Sequence, residues 1–190
     1  MKLNELKIGN LTAKIPIVQG GMGIGVSLSG LAAAVANEGG IGTISGVQIG
    51  FREPDFLMDP VAANLRAIGS EIKKAREKSK GIIAMNFMAA MNNFELYVKK
   101  AVEEKIDLIV SGAGLPIALP KLVNGSNTKI APIVSSAKAA RIIIKSYLKS
   151  ERLPDAVVVE GPLAGGHLGF KMDELLEDKC MKLKDIVKEV

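Results

Sequence analysis

The sequence predicts an α/β protein of the TIM (β/α)8-barrel type, of which this chain holds about six strand–helix units. Short, continuously apolar runs alternate with helical patterns along its 190 residues, as in a parallel sheet that is covered on both faces. Glycines and small polar residues follow nearly every apolar run, whereas a doubly wound sheet concentrates its functional residues at one switch point. An eight-unit barrel takes about 250 residues. We therefore expect one domain, residues 1–190, in which strands 7 and 8 are missing.

Six short runs rich in branched apolar residues predict the strands. They are Ile15–Val18, Gly40–Ile44, Ile82–Phe87, Asp107–Val110, Ile130–Val134 and Ala156–Val159. A six-strand parallel array has unpaired edges, which are a recognised cause of association. A homo-oligomer is therefore one expected arrangement.

Helical patterns fill the intervals between these strands. They are Leu28–Asn37, a long helix from Pro60 to Ala75 with Asp59 as its N-cap, Phe94–Glu104 after Asn92 or Asn93, Leu115–Val123 and Ala137–Leu148. From Asp173 onward the charged tail predicts a helix, a break and a second helix.

Composition excludes several classes of function. The net charge is +5, but the basic residues are dispersed, and the densest run, Lys73–Lys80, is typical of the solvated end of a helix. The absence of tryptophan and of aromatic residues within that run argues against nucleic-acid binding. No signal peptide or membrane-spanning stretch is evident, and the single cysteine, Cys180, suits a reducing, cytoplasmic location. We expect Cys180 to be a solvent-facing or half-buried bystander.

The only histidine, His167, lies in a glycine-flanked loop directly after the sixth strand. Histidine exchanges a proton most readily near neutral pH, and flanking glycines let backbone approach a ligand closely. This placement favours a catalytic site, although a histidine hydrogen-bonded within its own loop is the alternative. Glu160, at the end of the same strand, is the carboxylate nearest in sequence and is expected to bind a ligand hydroxyl, to orient the imidazole or to form a surface pair.

A glycine-rich loop, Gly20–Gly25, follows the first strand. It lacks the third glycine of the dinucleotide fingerprint, and the chain has no P-loop lysine. Its backbone can still lie against a planar ring, with Met22 as a soft apolar wall. A tight turn into the next helix is an equally good interpretation.

Polar residues at other strand ends extend this candidate site. Asn86 interrupts an apolar strand, where a buried amide needs a partner. Ser111 and the pair Ser135–Ser136 have the same position, although either serine site is also consistent with a helix cap. One histidine and one cysteine leave no zinc site, and there is no nucleophile-elbow motif for a serine triad.

Together these segments resemble the nitronate monooxygenase family, formerly the 2-nitropropane dioxygenases, which includes the flavin-dependent enoyl-[acyl-carrier-protein] reductases of type II. The matching segments occur in order along nearly the whole chain. They are Pro16–Met22, Gly39–Gly42, Met85–Met88, Ser111–Pro116, Pro132–Ser136, Glu160–Gly161 and Ala164–Gly169.

The resemblance implies a flavoprotein oxidoreductase that binds FMN non-covalently at the C-terminal face of the barrel. His167 is similar to the family's catalytic histidine. The implied flavin contacts are Gly20, Gly21, Met22, Gly23, Asn86, Ser135, Glu160, Gly165 and Gly166. The turns that hold the flavin phosphate in the family belong to its seventh and eighth strands, and we find neither in this sequence.

Three functions follow as expectations. The first is oxidation of small nitronates or nitroalkanes by O2 to a carbonyl compound and nitrite, with His167 removing a proton from carbon. The second is reduction of an enoyl thioester, with NAD(P)H as the electron donor. The third is a barrel fragment that holds no flavin and is inactive.

Overall fold

The computed structural model describes residues 3–177 and 179–190. Its strands are β1 (Leu6–Ile8), β2 (Leu11–Ala13), β3 (Ile41–Ser45), β4 (Ile82–Met88), β5 (Leu108–Gly112), β6 (Lys129–Val134) and β7 (Val158–Val159). Its helices are α1 (Ser29–Asn37), α2 (Pro60–Lys78), α3 (Phe94–Glu103), α4 (Leu119–Leu122), α5 (Ala137–Leu148), α6 (Met172–Leu176) and α7 (Leu183–Glu189).

The central sheet is parallel and runs in the order β3-β4-β5-β6-β7. Its strand order never reverses, as it would at the switch point of a doubly wound sheet. The sheet curls as part of a (β/α)8 barrel, which confirms the predicted fold class. The first predicted strand is an extended edge segment, residues 15–19, which meets β3 through the single bridge Val18↔Ile41. Hydrogen bonds from Ile15 to Gly39 and from Gln19 to Ile41 keep this edge segment parallel to β3.

A short antiparallel hairpin, β1–β2, precedes the sheet and was not predicted from the sequence. Its strands are three residues long, too short to show a periodic pattern, and Gly9 turns between them with φ of +58°. Ile8 and Ala13 of the hairpin pack with the inward-facing Ala84 and Leu108 of the sheet. The hairpin therefore fills the inside of the curl.

Two apolar cores cover the two faces of the sheet. The larger lies between the sheet and its helices and includes Ile44, Met85 and Ile109. The smaller lies on the inner face, with residues such as Ala84 and Val110. Inner and outer residues alternate along each strand, as the pleat requires. Every residue of β3 and β5 is buried, which explains why neither strand alternates between apolar and charged residues.

Helix termini follow the local signals in part. Asp59 accepts a hydrogen bond from the Ala62 amide at 3.0 Å, which confirms the predicted cap of α2. Asn93 stands at the N-cap of α3, but in left-handed conformation and without a side-chain cap bond. The prediction of a helix from Leu115 was wrong: residues 115–118 form a turn, because Ala113 and Gly114 have positive φ, and α4 begins only at Leu119.

The C-terminal tail contains the predicted helix, break and second helix. Two short helices, α6 and α7, occupy the C-terminal segment, and Cys180 is half-buried. In the parts of the chain that the structure describes, no helix is both long enough and apolar enough to cross a bilayer.

Candidate functional site

The glycine-rich loop after the edge segment is held in place by Ser27. The hydroxyl of this buried serine accepts hydrogen bonds from the Met22 amide at 3.0 Å and from Gln19 Nε2 at 3.1 Å. It also lies 3.3 Å from the Gly20 carbonyl, to which it donates. One hydroxyl therefore closes the loop onto the end of the edge segment. The loop is a defined surface, as ligand binding through backbone atoms requires.

Gln19 anchors the same loop to the sheet. Its Nε2 donates to the Thr43 carbonyl at 3.0 Å, and its Oε1 accepts from the Thr43 amide at 3.2 Å. The Gln19 side-chain amide therefore pairs with the backbone of β3 as a neighbouring strand would, one step beyond the backbone hydrogen bond from Gln19 to Ile41. This pairing fixes the point along β3 at which the glycine-rich loop begins.

Gly21 and Asn86 form the contact between this loop and β4. A β-carbon placed on Gly21 would lie 2.4 Å from Cβ of Asn86, so only glycine permits this approach. Asn86 is half-buried, and its Nδ2 donates to the Val110 carbonyl at 3.4 Å. Ser45 is the strand neighbour of Asn86 in register. The sequence prediction that the loop and Asn86 share one site is consistent with this contact.

A second group of predicted residues meets at Gly169. Glu160 Oε2 accepts the Gly169 amide at 2.8 Å, and Ser135 Oγ donates to the Gly169 carbonyl at 2.8 Å. Ser135 follows β6 and Glu160 follows β7, so two neighbouring strand ends hold one residue of the histidine loop. We call this arrangement the Gly169 clasp. It directs Ser135 and Glu160 toward the protein's own backbone.

The clasp leaves the preceding part of the loop open. His167, two residues before Gly169, is exposed, and its ring makes no hydrogen bond within residues 3–177 and 179–190. A β-carbon on Gly165 or Gly166 would meet no atom within 4 Å, and Gly166 has φ of +90°. The alternative of a histidine bonded within its own loop is therefore not what the structure contains.

Asn86 lies within β4, two residues before the last residue of that strand, and the other predicted site residues follow the edge segment, β6 or β7. Gly20–Gly23 and Asn86 form one group, and Ser135, Glu160, Gly165, Gly166 and His167 form the other. The remaining serines are not part of either group. Ser136 caps α5 by accepting from the Ala139 amide at 3.2 Å, and Ser111 is fully buried.

Sequence reasoning missed three residues that build this site: Gln19, Ser27 and Gly169. Gln19 carried the same signal as Asn86, a polar side chain at the end of an apolar strand. Ser27 carried no local signal, because its partners are five to eight residues away in an irregular loop. Gly169 carried no signal of its own, because its bonds to Ser135 and Glu160 depend on how β6 and β7 lie side by side.

The residues present fit the ring portion of a flavin. Gly20 has open space where a β-carbon would stand, and Met22 projects an exposed thioether side chain beside it. Asn86 offers an amide at the same edge, where a polar ring edge needs hydrogen-bond partners. Open backbone at Gly165 and Gly166 gives a second surface that a ligand can approach.

Comparison with solved structures supports the barrel assignment. FabK from Thermotoga maritima is 27% identical with a TM-score of 0.66, over 92% of this chain and 48% of that chain. A nitroalkane oxidase from Streptomyces ansochromogenes is 17% identical with a TM-score of 0.72, over 96% of this chain and 56% of that one, a likeness of fold alone. The chain thus spans about half the length of these proteins. Comparison with curated protein sequences gives no match.

The family-level comparison covers almost the whole chain. The model described as nitronate monooxygenase matches residues 4–190, and this range includes the glycine-rich loop, Asn86, the Gly169 clasp and His167. The chain belongs to the nitronate monooxygenase family.

Proposed function

We propose that this chain is the flavin-binding and proton-transferring part of an FMN-dependent oxidoreductase that oxidises alkyl nitronates or nitroalkanes with O2 to a carbonyl compound and nitrite. The observation that carries this proposal is the open space at two sets of glycines: at Gly20, next to the Gly21–Asn86 contact, and at Gly165 and Gly166, next to His167. Family membership supports the flavin class of chemistry.

In this proposal the flavin ring is held by backbone and by a few polar side chains. Gly20–Gly23 supply the close backbone surface and Met22 an apolar wall. Asn86 supplies an amide for a polar ring edge, and the backbone of Gly165 and Gly166 lies open to the ligand on the other side. When bound, FMN supplies the two-electron redox chemistry and the reaction with O2.

His167 has the role of a base. Its exposed imidazole is free to accept the proton that leaves the carbon bearing the nitro group, and the Gly169 clasp limits how far the histidine loop moves. Ser135 and Glu160 act in this proposal on the loop backbone. Their expected flavin contacts remain predictions; in this structure Ser135 Oγ and Glu160 Oε2 are hydrogen-bonded to Gly169.

A second candidate is reduction of an enoyl thioester with electrons from NAD(P)H. It is favoured by one observation, the higher identity of the chain to FabK (27%) than to the nitroalkane oxidase (17%). In that reaction His167 would position the substrate or cofactor. The two candidate reactions require the same flavin-binding residues and differ in the substrate that reacts with the flavin.

The test begins with flavin. Purified protein is titrated with FMN, and flavin absorption and fluorescence report binding. Nitrite release from propane-2-nitronate and NAD(P)H consumption with crotonyl thioester then distinguish the two candidates. We expect FMN binding and nitrite; NAD(P)H consumption without nitrite would favour the reductase. A protein that does not bind FMN would contradict both and leave an inactive fragment.

His167→Ala tests the base. We expect FMN binding to persist and turnover of neutral nitroalkane to fall by about 10²–10⁴-fold, the usual contribution of a general base. Turnover of preformed nitronate, which has already lost the proton, should fall less. Leu163→Ala is the matched control, because Leu163 is a 99% exposed side chain of the same loop. If turnover of the neutral nitroalkane fell no more than turnover of the nitronate in the His167 variant, a proton-transfer role would be excluded.

A further inference from the structure

Ser45, the last residue of β3, has a buried hydroxyl. The residue is 3% exposed, and its Oγ has no hydrogen-bond partner in the part of the chain that the structure describes. Buried polar atoms without a partner are rare, because they have lost their bonds to water and nothing has replaced them. A ligand that supplies the missing hydrogen bond would account for such an atom.

Ser45 lies on the inner face of the sheet, beside Asn86. In β3, Ile41 belongs to the inner core and Ile44 to the outer one, so the alternation of the strand places Ser45 on the inner face. Asn86 is the partner of Ser45 in register on β4. Ala84, two residues before Asn86, also belongs to the inner core, so both polar side chains share this face. Neighbouring strands lie about 4.8 Å apart, which makes the hydroxyl and the amide an adjacent pair.

The glycine-rich loop lies directly over this pair. A β-carbon on Gly21 would stand 2.4 Å from Cβ of Asn86, and one on Gly23 would stand 3.2 Å from Oγ of Ser45. Two glycines in alternate positions of the loop therefore each face one member of the pair. The Ser45 hydroxyl is directed at the same loop whose backbone forms the proposed flavin surface.

The backbone of Ser45 is held on both sides. Its amide donates to the Ser27 carbonyl at 2.8 Å, and the next amide, that of Gly46, donates to the Asn86 carbonyl at 2.9 Å. The side chain, by contrast, turns about one single bond with three staggered positions. The hydroxyl can therefore leave its place beneath Gly23 for a ligand atom while the fixed backbone keeps it beside Asn86.

Two other buried hydroxyls lack a partner among the described residues, and neither faces the loop in this way. Thr43 is on the same face but two residues earlier in β3, about 6.6 Å further from the carboxyl end. Ser111 pairs in register with Phe87, which belongs to the outer core, so its hydroxyl lies between the sheet and the helices. Ser45 is therefore the unpartnered hydroxyl that belongs to the candidate site.

We propose that Ser45 is a further ligand-binding residue, whose hydroxyl donates a hydrogen bond to a ring carbonyl oxygen of the bound flavin next to the Asn86 amide. The flavin edge that carries two carbonyl groups with an N–H between them suits this pair, since a side-chain amide both donates and accepts and a hydroxyl donates. The inference rests on the proposed function for the identity of the ligand.

The probes are FMN and lumiflavin, which is the flavin ring without the ribityl phosphate. Ser45→Ala should weaken the binding of both by about three- to tenfold, as the loss of one hydrogen bond does, and should shift the visible absorption bands of the bound ring. It should not lower the unfolding temperature of the free protein, because the hydroxyl has no partner there. Ser111→Ala is the matched control, since it removes an equally buried, unpartnered hydroxyl from the other face of the sheet and should leave flavin binding unchanged.

A double-mutant cycle tests whether Ser45 and Asn86 bind the same edge of the ring. The effects of Ser45→Ala and Asn86→Ala on lumiflavin affinity should not be additive, because residues that bind one group are coupled. In addition, 3-methyllumiflavin, in which a methyl group replaces the hydrogen of that N–H, should bind to the wild type more weakly than lumiflavin does.

Flavin affinities and spectra that Ser45→Ala leaves unchanged would overturn the inference, as would equal binding of the two lumiflavins by the wild type. If Ser45→Ala weakens flavin binding but the wild type releases no nitrite, the inference stands and the proposed reaction fails. Nitrite release by a Ser45→Ala variant with wild-type flavin affinity would leave the proposed reaction and overturn the inference. A wild type that binds no flavin would overturn both.

Discussion

Gly21 lies against the side chain of Asn86, so closely that a β-carbon at position 21 would stand 2.4 Å from Cβ of Asn86. This contact joins the loop that follows the edge segment to the end of β4, two elements that are far apart in the chain. The contact surface of the proposed flavin site depends on it, since it sets how near the loop backbone comes to the Asn86 amide.

Gly21→Ala should therefore damage both stability and flavin binding. The added methyl group overlaps side-chain atoms of Asn86, and overpacking of this kind costs about 1–3 kcal/mol. Gly20→Ala is a matched control one residue away, because its β-carbon meets nothing within 4 Å. Thermal unfolding and FMN titration of both variants check the prediction. If the Gly21→Ala variant were as stable as the Gly20→Ala variant, the loop would not approach β4 as described.

Ser27→Ala should loosen the glycine-rich loop. Its hydroxyl has three partners, the Gln19 side chain, the Met22 amide and the Gly20 carbonyl, and it is 2% exposed. Leaving these groups without their partner should cost about 1–3 kcal/mol of unfolding free energy. Ser45→Ala is the comparison, since Ser45 Oγ is buried and has no hydrogen-bond partner in the structure. Chemical denaturation of the two variants should separate them clearly.

Glu160→Ala should open the Gly169 clasp. The carboxylate accepts the Gly169 amide at 2.8 Å, and charge-assisted bonds of this type are the stronger ones. We expect hydrogen exchange at the Gly169 amide to accelerate about tenfold or more and turnover to fall with little change in FMN affinity. Glu160→Gln keeps an acceptor oxygen and should restore most of the protection. If FMN affinity fell more than turnover in both variants, Glu160 would instead be a flavin contact.

Glu71 should make stability depend on acid pH. Burial raises its pKa, but hydrogen bonds from Ser29 and Lys74 outweigh this, so that its pKa lies below the ordinary value of 4.5. Oε2 accepts the Ser29 amide at 2.9 Å, in the first turn of α1, which has no cap from its own side chains. A depressed pKa means that ionised Glu71 stabilises the fold above about pH 4.5 and that this contribution is lost as pH falls through the lower, folded-state value.

Unfolding free energies measured from acid to neutral pH test this linkage. Glu71→Gln should be less stable than wild type at neutral pH, and the difference should shrink in acid. Glu77→Gln, which removes one negative charge from an exposed position of the same helix, is the matched control. A difference between Glu71→Gln and wild type that stays constant across this range would exclude a contribution from the charge.

Much of the fold could be predicted from the sequence, because the signals that start and end a helix lie in the helical segment or directly beside it. The bounds of α5, Ala137–Leu148, match the predicted helix, since an apolar stripe and the Ser136 cap both lie within the segment. The capped start of α2 was predicted for the same reason. The helix predicted from Leu115 failed at its first half, where two residues with positive φ precede Pro116 and the chain turns instead.

The sequence by itself determined the class of the fold and named the strand ends that are candidates for a site, because apolar runs, glycines and the one histidine can be recognised without knowing their neighbours in space. The tertiary structure alone decided which of those residues meet. Ser135 and Glu160 are predicted flavin contacts, and the pairing of β6 with β7 brings both of them to the backbone of Gly169. These hydrogen bonds join segments that are far apart in the chain, and only the packing of the folded strands sets the distances between them.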